Sequence, residues 1–287
     1  MIRVIIQAGF GNQLFQYAAA YALAKEIDCM LELDISFFEY IKKLNTDNIR
    51  INNLNKLNLD SPNFRCKPQS FVFYRYASKI TFPHILFSDG EWMPVVWENV
   101  EKCRENQEYL FDRIKRKKKG IVYGFWQNIC YFDKYINDLR KQFKPNYILS
   151  SEVQHLLDEI RSRISVGVHI RRGDFVRLGW NKDTDYYIKG MKKMRDLVDD
   201  PHFYVVTDDV QWADTQFGKN EDVTIIDIKT QTKDVDEFFL LSSCKHQIIS
   251  ESTFGWWAAY LNRNENKKII IPKDAKGDIF LKSWYRI

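Results

Sequence analysis

Two adjacent arginines close an apolar run in the segment VGVHIRRGDF, residues 166–175. Neighbouring guanidinium groups repel, so something negative must lie near them, either an internal carboxylate or a ligand. A planar guanidinium grips two phosphate oxygens at once, so Arg171 and Arg172 suit a phosphate-bearing ligand. Buried salt bridges at a strand end are the purely structural alternative. Alternate strand residues point to opposite faces, which predicts that the two side chains diverge. One then faces the ligand and the other pairs with Asp174 or another internal acid; Arg171, on the side of His169, is the expected ligand-facing member. His169, two residues before Arg171, is either a satisfied core histidine or a group that orients Asp174 or touches the ligand. The RGD tripeptide at 172–174 directly follows a buried strand, a poor setting for an adhesion signal, which needs an exposed mobile tip.

Four other segments carry polar groups of the same kind. SESTFGWWAAYL puts Ser252 and Thr253 at a helix start, where they can cap the helix and where free N–H groups and the helix dipole attract an anion. TDD supplies Asp208, and Asp227 is expected to end the strand VTIIDI. GFGNQ, residues 9–13, has too few glycines for a dinucleotide fingerprint and lacks the lysine of a P-loop. Its Gly9 and Gly11 still let backbone approach a ligand closely, and Asn12 can donate and accept hydrogen bonds. DTD at 183–185 and DVD at 234–236 match a metal-binding DxD pattern. With 24 aspartates in 287 residues, chance alone supplies roughly two matches, and no metal is assigned.

These groups must be positioned by strands and helices. IRVIIQ reads as a buried strand, GFG as a turn and NQLFQYAAAYALAKEI as a helix. Residues 41–110 are rich in Asn, Pro and aromatics and are expected to be irregular with short helices. GIVYGFW, 120–126, reads as a strand. From residue 151 helices alternate with the strands SVGVHI, HFYVVT, VTIIDI, HQIIS and KKIIIP, the pattern of a parallel sheet covered on both faces. KPNYILS, 144–150, marks a boundary between two α/β halves. In such sheets ligands bind beyond the carboxyl ends of the strands, which collects the polar segments on one edge of each half.

Composition sets the outer bounds. Hydrophobic residues make up 45% of the chain and aromatics 15%, with a formal net charge of +5. That is a globular protein able to build large cores. The positive balance suits an anionic substrate, a nucleic acid or an acidic membrane surface and selects none of them. RIKRKKKG, 113–120, reads as a solvated helix end or as a contact for an anionic membrane. Five scattered cysteines suggest neither a disulfide framework nor a zinc site, and a reducing cytoplasm is the simple inference. No segment is long and apolar enough for a transmembrane anchor.

GFGNQLFQYAAAYALA, VGVHIRRGDF, FYVVTDD and CKHQIISESTFGWWAAYLN, in that order, resemble the α1,2-fucosyltransferases over about residues 3–272. HxRRxD is also similar to the element found in α1,6- and protein O-fucosyltransferases. The resemblance implies a GT-B-like α/β fold of two facing Rossmann-like domains with parallel sheets. Residues 1–148 would form the acceptor-side domain, and residues 149–287 the donor domain with a C-terminal tail. It implies GDP-L-fucose as donor, the 2-hydroxyl of a terminal galactose in an oligosaccharide or lipid-linked glycan as acceptor, and inversion. It implies no metal, cofactor or nucleic acid, and a bacterial cytoplasmic location. Arg171 would hold the diphosphate, with Ser252, Thr253 and Phe254 on the helix side. His169, Arg172 and Asp174 would shape the site, and Gly11 and Asn12 would approach from the N-terminal half. Asp227, with Asp208 next, would read the guanine edge. Asp174 is the matched candidate for the base, although pairing with arginine weakens a carboxylate as a base. Residues 41–118 match no motif of the family. A fucosyltransferase of another linkage and a non-catalytic nucleotide- or glycan-binding protein are the competing readings.

Overall fold

β1 (Ile2–Ile5) is buried along its whole length, as its branched apolar residues require. It even buries Arg3, whose Nε lies 2.6 Å from Glu32. The first α/β unit is built outward from this strand in a computed structural model that describes residues 1–44, 50–60, 63–67, 70–77, 85–88, 90–277 and 279–287. α1 (Phe10–Glu26) follows, with the small residues of its AAAYALA stretch buried. Then come β2 (Leu31–Asp34), α2 (Ser36–Lys43), β3 (Asn63–Arg65), α3 (Ser70–Ala77), β4 (Ile85–Ser88), β5 (Glu91–Trp97), α4 (Asp112–Lys117), β6 (Gly120–Tyr123) and α5 (Ile136–Gln142). The sheet order is β3-β2-β1-β6-β5-β4, parallel except for the β4–β5 hairpin at one edge. Residues 41–110, read as irregular with short helices, thus also supply three strands among the described residues.

The strand expected through residue 126 stops at Tyr123. Trp126 adopts a left-handed backbone, φ 55°, and the Phe125 and Trp126 N–H groups turn to the Glu98 carboxylate. Those donors are lost to any sheet ladder.

The second unit contains α6 (Ser151–Ser162), β7 (Ile164–Ile170), α7 (Gly173–Leu178), α8 (Thr184–Leu197), β8 (Pro201–Thr207), α9 (Val210–Phe217), β9 (Val223–Ile225), α10 (Lys233–Ser243), β10 (His246–Ile249), α11 (Thr253–Leu261), β11 (Ile269–Ile271) and β12 (Tyr285–Arg286). Its sheet, ordered β12-β11-β10-β7-β8-β9, is parallel throughout. One core cluster gathers Val166, Val168 and Ile170 of β7 with Tyr187 and Met191 of α8 and Phe203 of β8. The first unit comprises 1–143 with 277–279, the second 144–276 with 280–287. β9 is shorter than the sequence implies, so Asp227 lies two residues beyond the strand rather than at its end.

Candidate functional site

The carboxyl ends of β7, β8 and β10 share one edge of the second sheet. β7 ends at Ile170, so the alternation of strand side chains no longer governs Arg171 and Arg172. The two side chains still diverge, but both, and not one alone, hold internal acids. Arg171, not Arg172, binds Asp174, through Nε at 3.0 Å and Nη2 at 2.7 Å. Its Nη1 meets Asp208 Oδ2 at 2.7 Å. Helix α7 makes the first contact possible, since residues three apart on a helix are neighbours and 171 and 174 flank its start. Gly173 makes room for the second: a Cβ there would stand 2.7 Å from Asp208 Oδ2. Arg172 turns the other way. Its Nε meets Asp209 at 3.0 Å and its guanidinium lies 4.1 Å from the centre of the Trp212 ring.

His169 lies beneath this edge, 5% exposed. Phe254 stacks on its ring at 5.2 Å, and Ser250 Oγ is 3.2 Å from Nδ1. Burial, reinforced by the Arg171 charge, pushes its pKa down to about 3, so the ring is neutral at physiological pH. Gly255 lets α11 come this close, because a Cβ there would meet Nδ1 at 2.7 Å. Ser252 caps α11 by accepting from the Phe254 N–H at 3.3 Å. Its side chain serves the helix, while the N-terminus of α11 stands next to the end of β7. Trp256 and Trp257 are fully buried packing residues.

Asp208 is committed: Oδ2 to Arg171, and Oδ1 to the Arg172 backbone N–H at 2.8 Å. Asp227 instead stands at the surface, 2.6 Å from Lys229 and 3.9 Å from Lys233, and the Lys229 contact lowers its pKa. Lys233 also approaches Glu237 of α10, a group the sequence reading missed. The buried Glu237 carboxyl lies 3.4 Å from that ammonium, and its Oε1 lacks a hydrogen bond. Burial raises its pKa to about 8. The available signal was an acid opening the run EFFLL, which shares a helix face with Leu240 and Leu241. The two DxD matches have local roles. Asp183 caps α8, and Asp236 accepts from the hydroxyls of Tyr147, Thr230 and Thr232. An open cavity of about 610 Å³ at the end of β11, lined by Lys182, Asp183, Tyr186, Pro272, Lys273 and Asp274, contains none of the predicted residues.

In the first unit the GFGNQ turn is pinned by glutamines. Gln13 Nε2 donates to the carbonyls of Ala8 and Ile51, and its Oε1 accepts from Asn53 N–H. Gln16 ties Gln7 N–H to the Gly124 carbonyl. These bonds hold Ala8 at φ 65°, a conformation that costs a non-glycine residue about 1–2 kcal/mol. Asn12, half-buried in the first turn of α1, accepts from Gln127 Nε2 at 2.8 Å. That contact uses Oδ1 and not the Asn12 NH2. Arg50 stands against the same turn, its Nη1 3.6 Å from where a Gly9 Cβ would be. Glu98 orders the adjoining turn through its two backbone contacts, and burial raises its pKa to about 7. Arg50, Glu98 and Gln127 were not legible in the sequence, because each acts on a segment distant along the chain.

Two buried carboxyls with raised pKa values make stability pH-dependent. Glu98 and Glu237 bind protons in the fold that they release when unfolded near their ordinary pKa of 4.5. Their contribution is therefore complete below about pH 4.5 and lost as pH rises through about 7 and 8. His169 acts oppositely, but only below its ordinary 6.5. Between pH 6.5 and 8.5 the melting temperature should fall, as stability drops by at most about 1.4 kcal/mol per pH unit for each proton retained. Glu237→Gln should flatten the upper part of that slope. An unchanged slope in the variant would assign the titration elsewhere.

Residues 101–287 match glycosyl transferase family 11. The chain belongs to that family. Over 284 residues it is 30% identical to the alpha-1,2-colitosyltransferase of Escherichia coli, covering 93% of this chain and 89% of that protein. Galactoside alpha-(1,2)-fucosyltransferase 1 of Rattus norvegicus is 32% identical over 155 residues, 48% of this chain and 40% of that protein. The crystal structure of fucosyltransferase NodZ from Bradyrhizobium shares the fold, with a TM-score of 0.51 at 16% identity, 91% of this chain and 93% of that chain being covered. Both α/β units are thus those of a GT-B-like family 11 glycosyltransferase. Among the described residues no helix is long and apolar enough to cross a membrane.

Proposed function

We propose that this family 11 enzyme transfers L-fucose from GDP-β-L-fucose to the 2-hydroxyl of a terminal galactose, with inversion and without a metal. The observation that carries the reading is the Arg171 guanidinium, fixed by Asp174 and Asp208 at the end of β7 beside the N-terminus of α11. In this reading the acceptor oxygen attacks the anomeric carbon opposite the departing diphosphate. The bond from that carbon to the phosphate oxygen breaks, its electron pair goes to GDP, and the hydroxyl proton passes to a base. Arg171 and the α11 N–H groups oppose the charge that develops on the leaving group. Asp174 remains the proposed base, and its two contacts from Arg171 make positioning that guanidinium its other role. Asp227 would accept the paired donors of guanine. Asp208 is less suited, with both oxygens engaged.

The colitosyltransferase relative favours a second reading, in which colitose replaces fucose on the same donor nucleotide. A panel of GDP-fucose and GDP-colitose against galactosides, with the product linkage read by NMR, separates the two. No transfer or donor hydrolysis with either would leave a binding protein. A site that pairs with guanine should reject UDP strongly, and equal competition by GDP and UDP would remove Asp227 from that role. Metal independence has its own test. Activity should survive EDTA, since Asp183 and Asp236 are committed to capping and hydroxyl contacts. Loss with EDTA and recovery with manganese would refute it.

A further inference from the structure

The amino edge of the first sheet, opposite the GFGNQ turn, joins bare cations to exposed apolar side chains. α4 turns Ile114 inward, against the position a Cβ at Gly120 would take. Its last turn therefore presents Arg116 and Lys117 outward, and Lys118 follows in the left-handed conformation that ends the helix, φ 51°. Among the described residues these three form no ion pair. Lys115, by contrast, is held by Glu26 and Glu108.

Strand register sets what stands beside them. Ile2 pairs with Leu31 on one side and Gly120 on the other, so Met30, Met1 and Lys119 precede three adjacent strands. β5 pairs Val95 with Ile121, so Trp92, near the start of β5, stands at the same amino end of the sheet. Strands lie about 4.8 Å apart, so Met30 and Trp92 bracket a row roughly 15 Å wide. Met30 is 72% exposed and Trp92 65%. Exposed acids at this edge include Glu26, Asp28 and Asp112, and Glu26 is taken up by Lys115.

We propose that this edge is a peripheral docking surface for an anionic phospholipid bilayer, with Arg116, Lys117 and Lys118 on the headgroup phosphates and Trp92 and Met30 in the interfacial layer. Charge complementarity selects the partner: basic side chains near an anionic leaflet gain from its surface potential. Tryptophan prefers the headgroup level because its apolar body and N–H suit both sides of it. The isolated cations and exposed apolar groups together fit a bilayer better than a nucleic acid, which would call for a groove or base-stacking platform. The surface is independent of the identity of donor and acceptor.

The test is co-sedimentation of the full chain with phosphatidylcholine vesicles, with and without phosphatidylglycerol, at low and high salt. Binding should require phosphatidylglycerol and weaken with salt. The triple variant Arg116→Gln, Lys117→Gln, Lys118→Asn should bind on the order of 100-fold more weakly; asparagine is chosen because it tolerates the left-handed position. Trp92→Ser should weaken binding by about tenfold. Melting temperature and GDP affinity of both variants serve as folding controls. Equal binding to both vesicle types, or unchanged binding by the folded triple variant, would overturn the proposal. So would tighter retention of single-stranded RNA than of anionic vesicles by the wild-type chain.

Discussion

Arg171→Ala should lower turnover on the order of 100- to 10,000-fold. Two charge-assisted contacts to a diphosphate are worth roughly 3–6 kcal/mol, and each 1.4 kcal/mol realised at the transition state is about a decade in rate. Lysine should rescue partly, because it supplies charge without the planar fork. The structure also reverses an expectation about stability. Reading Arg172 as the internally paired member made its loss the more damaging to the fold. Yet its partner Asp209 is 38% exposed, whereas Arg171 holds Asp174 and Asp208, at 18% and 25%. Removing Arg171 leaves two partly buried carboxylates facing each other without a cation, the costlier defect.

Turnover and stability must therefore be separated. Asp208→Asn in the Arg171→Ala background removes one of the opposed charges and should recover much of the melting temperature, because neighbours in one network are non-additive. It should recover none of the turnover. Arg172→Ala should cost about 1 kcal/mol in stability, through its exposed ion pair and the Trp212 contact, and leave GDP affinity nearly intact. Normal GDP binding and turnover in Arg171→Ala would end the phosphate reading. If Arg172→Ala instead abolishes GDP binding, the roles of the two arginines are exchanged.

Local pattern carried the second half of the chain well. Its strands are continuous apolar runs between amphipathic helices, and β7, β8 and β10 fall where that pattern puts them. The errors have local causes. The strand rule was extended past Ile170, although the backbone had already turned into α7, so Asp174 reached Arg171. β9 closes after three residues, which puts Asp227 outside the sheet. In the first half, the candidate turn is ordered by contacts between distant segments: Gln127 with Asn12, Glu98 with the 125–126 turn, Arg50 beside Gly9. Each is an ordinary polar residue in a segment of weak periodicity, and only tertiary structure gives it a partner. Fold class depends on many apolar positions and tolerates such losses, whereas a site depends on a few polar ones.

Asn12 offers a test in which stability and chemistry separate. Its Oδ1 accepts from Gln127, so its NH2 is the group available to a ligand. Asn12→Asp keeps an oxygen for Gln127 and nearly the same shape, and should leave the melting temperature close to wild type. At the ligand it exchanges a donor for a negative charge. If Asn12 donates to the diphosphate or the sugar as charge develops, that exchange should cost on the order of 1,000-fold in turnover, the range for loss of a preorganised donor. Asn12→Ala should cost less turnover, because it introduces no repulsion, but more stability, because it strands the 8% exposed Gln127. The opposed ordering of the two variants is the diagnostic. A merely structural Asn12 would make alanine worse in both measurements, and equal turnover in Asn12→Asp and wild type would remove Asn12 from the site.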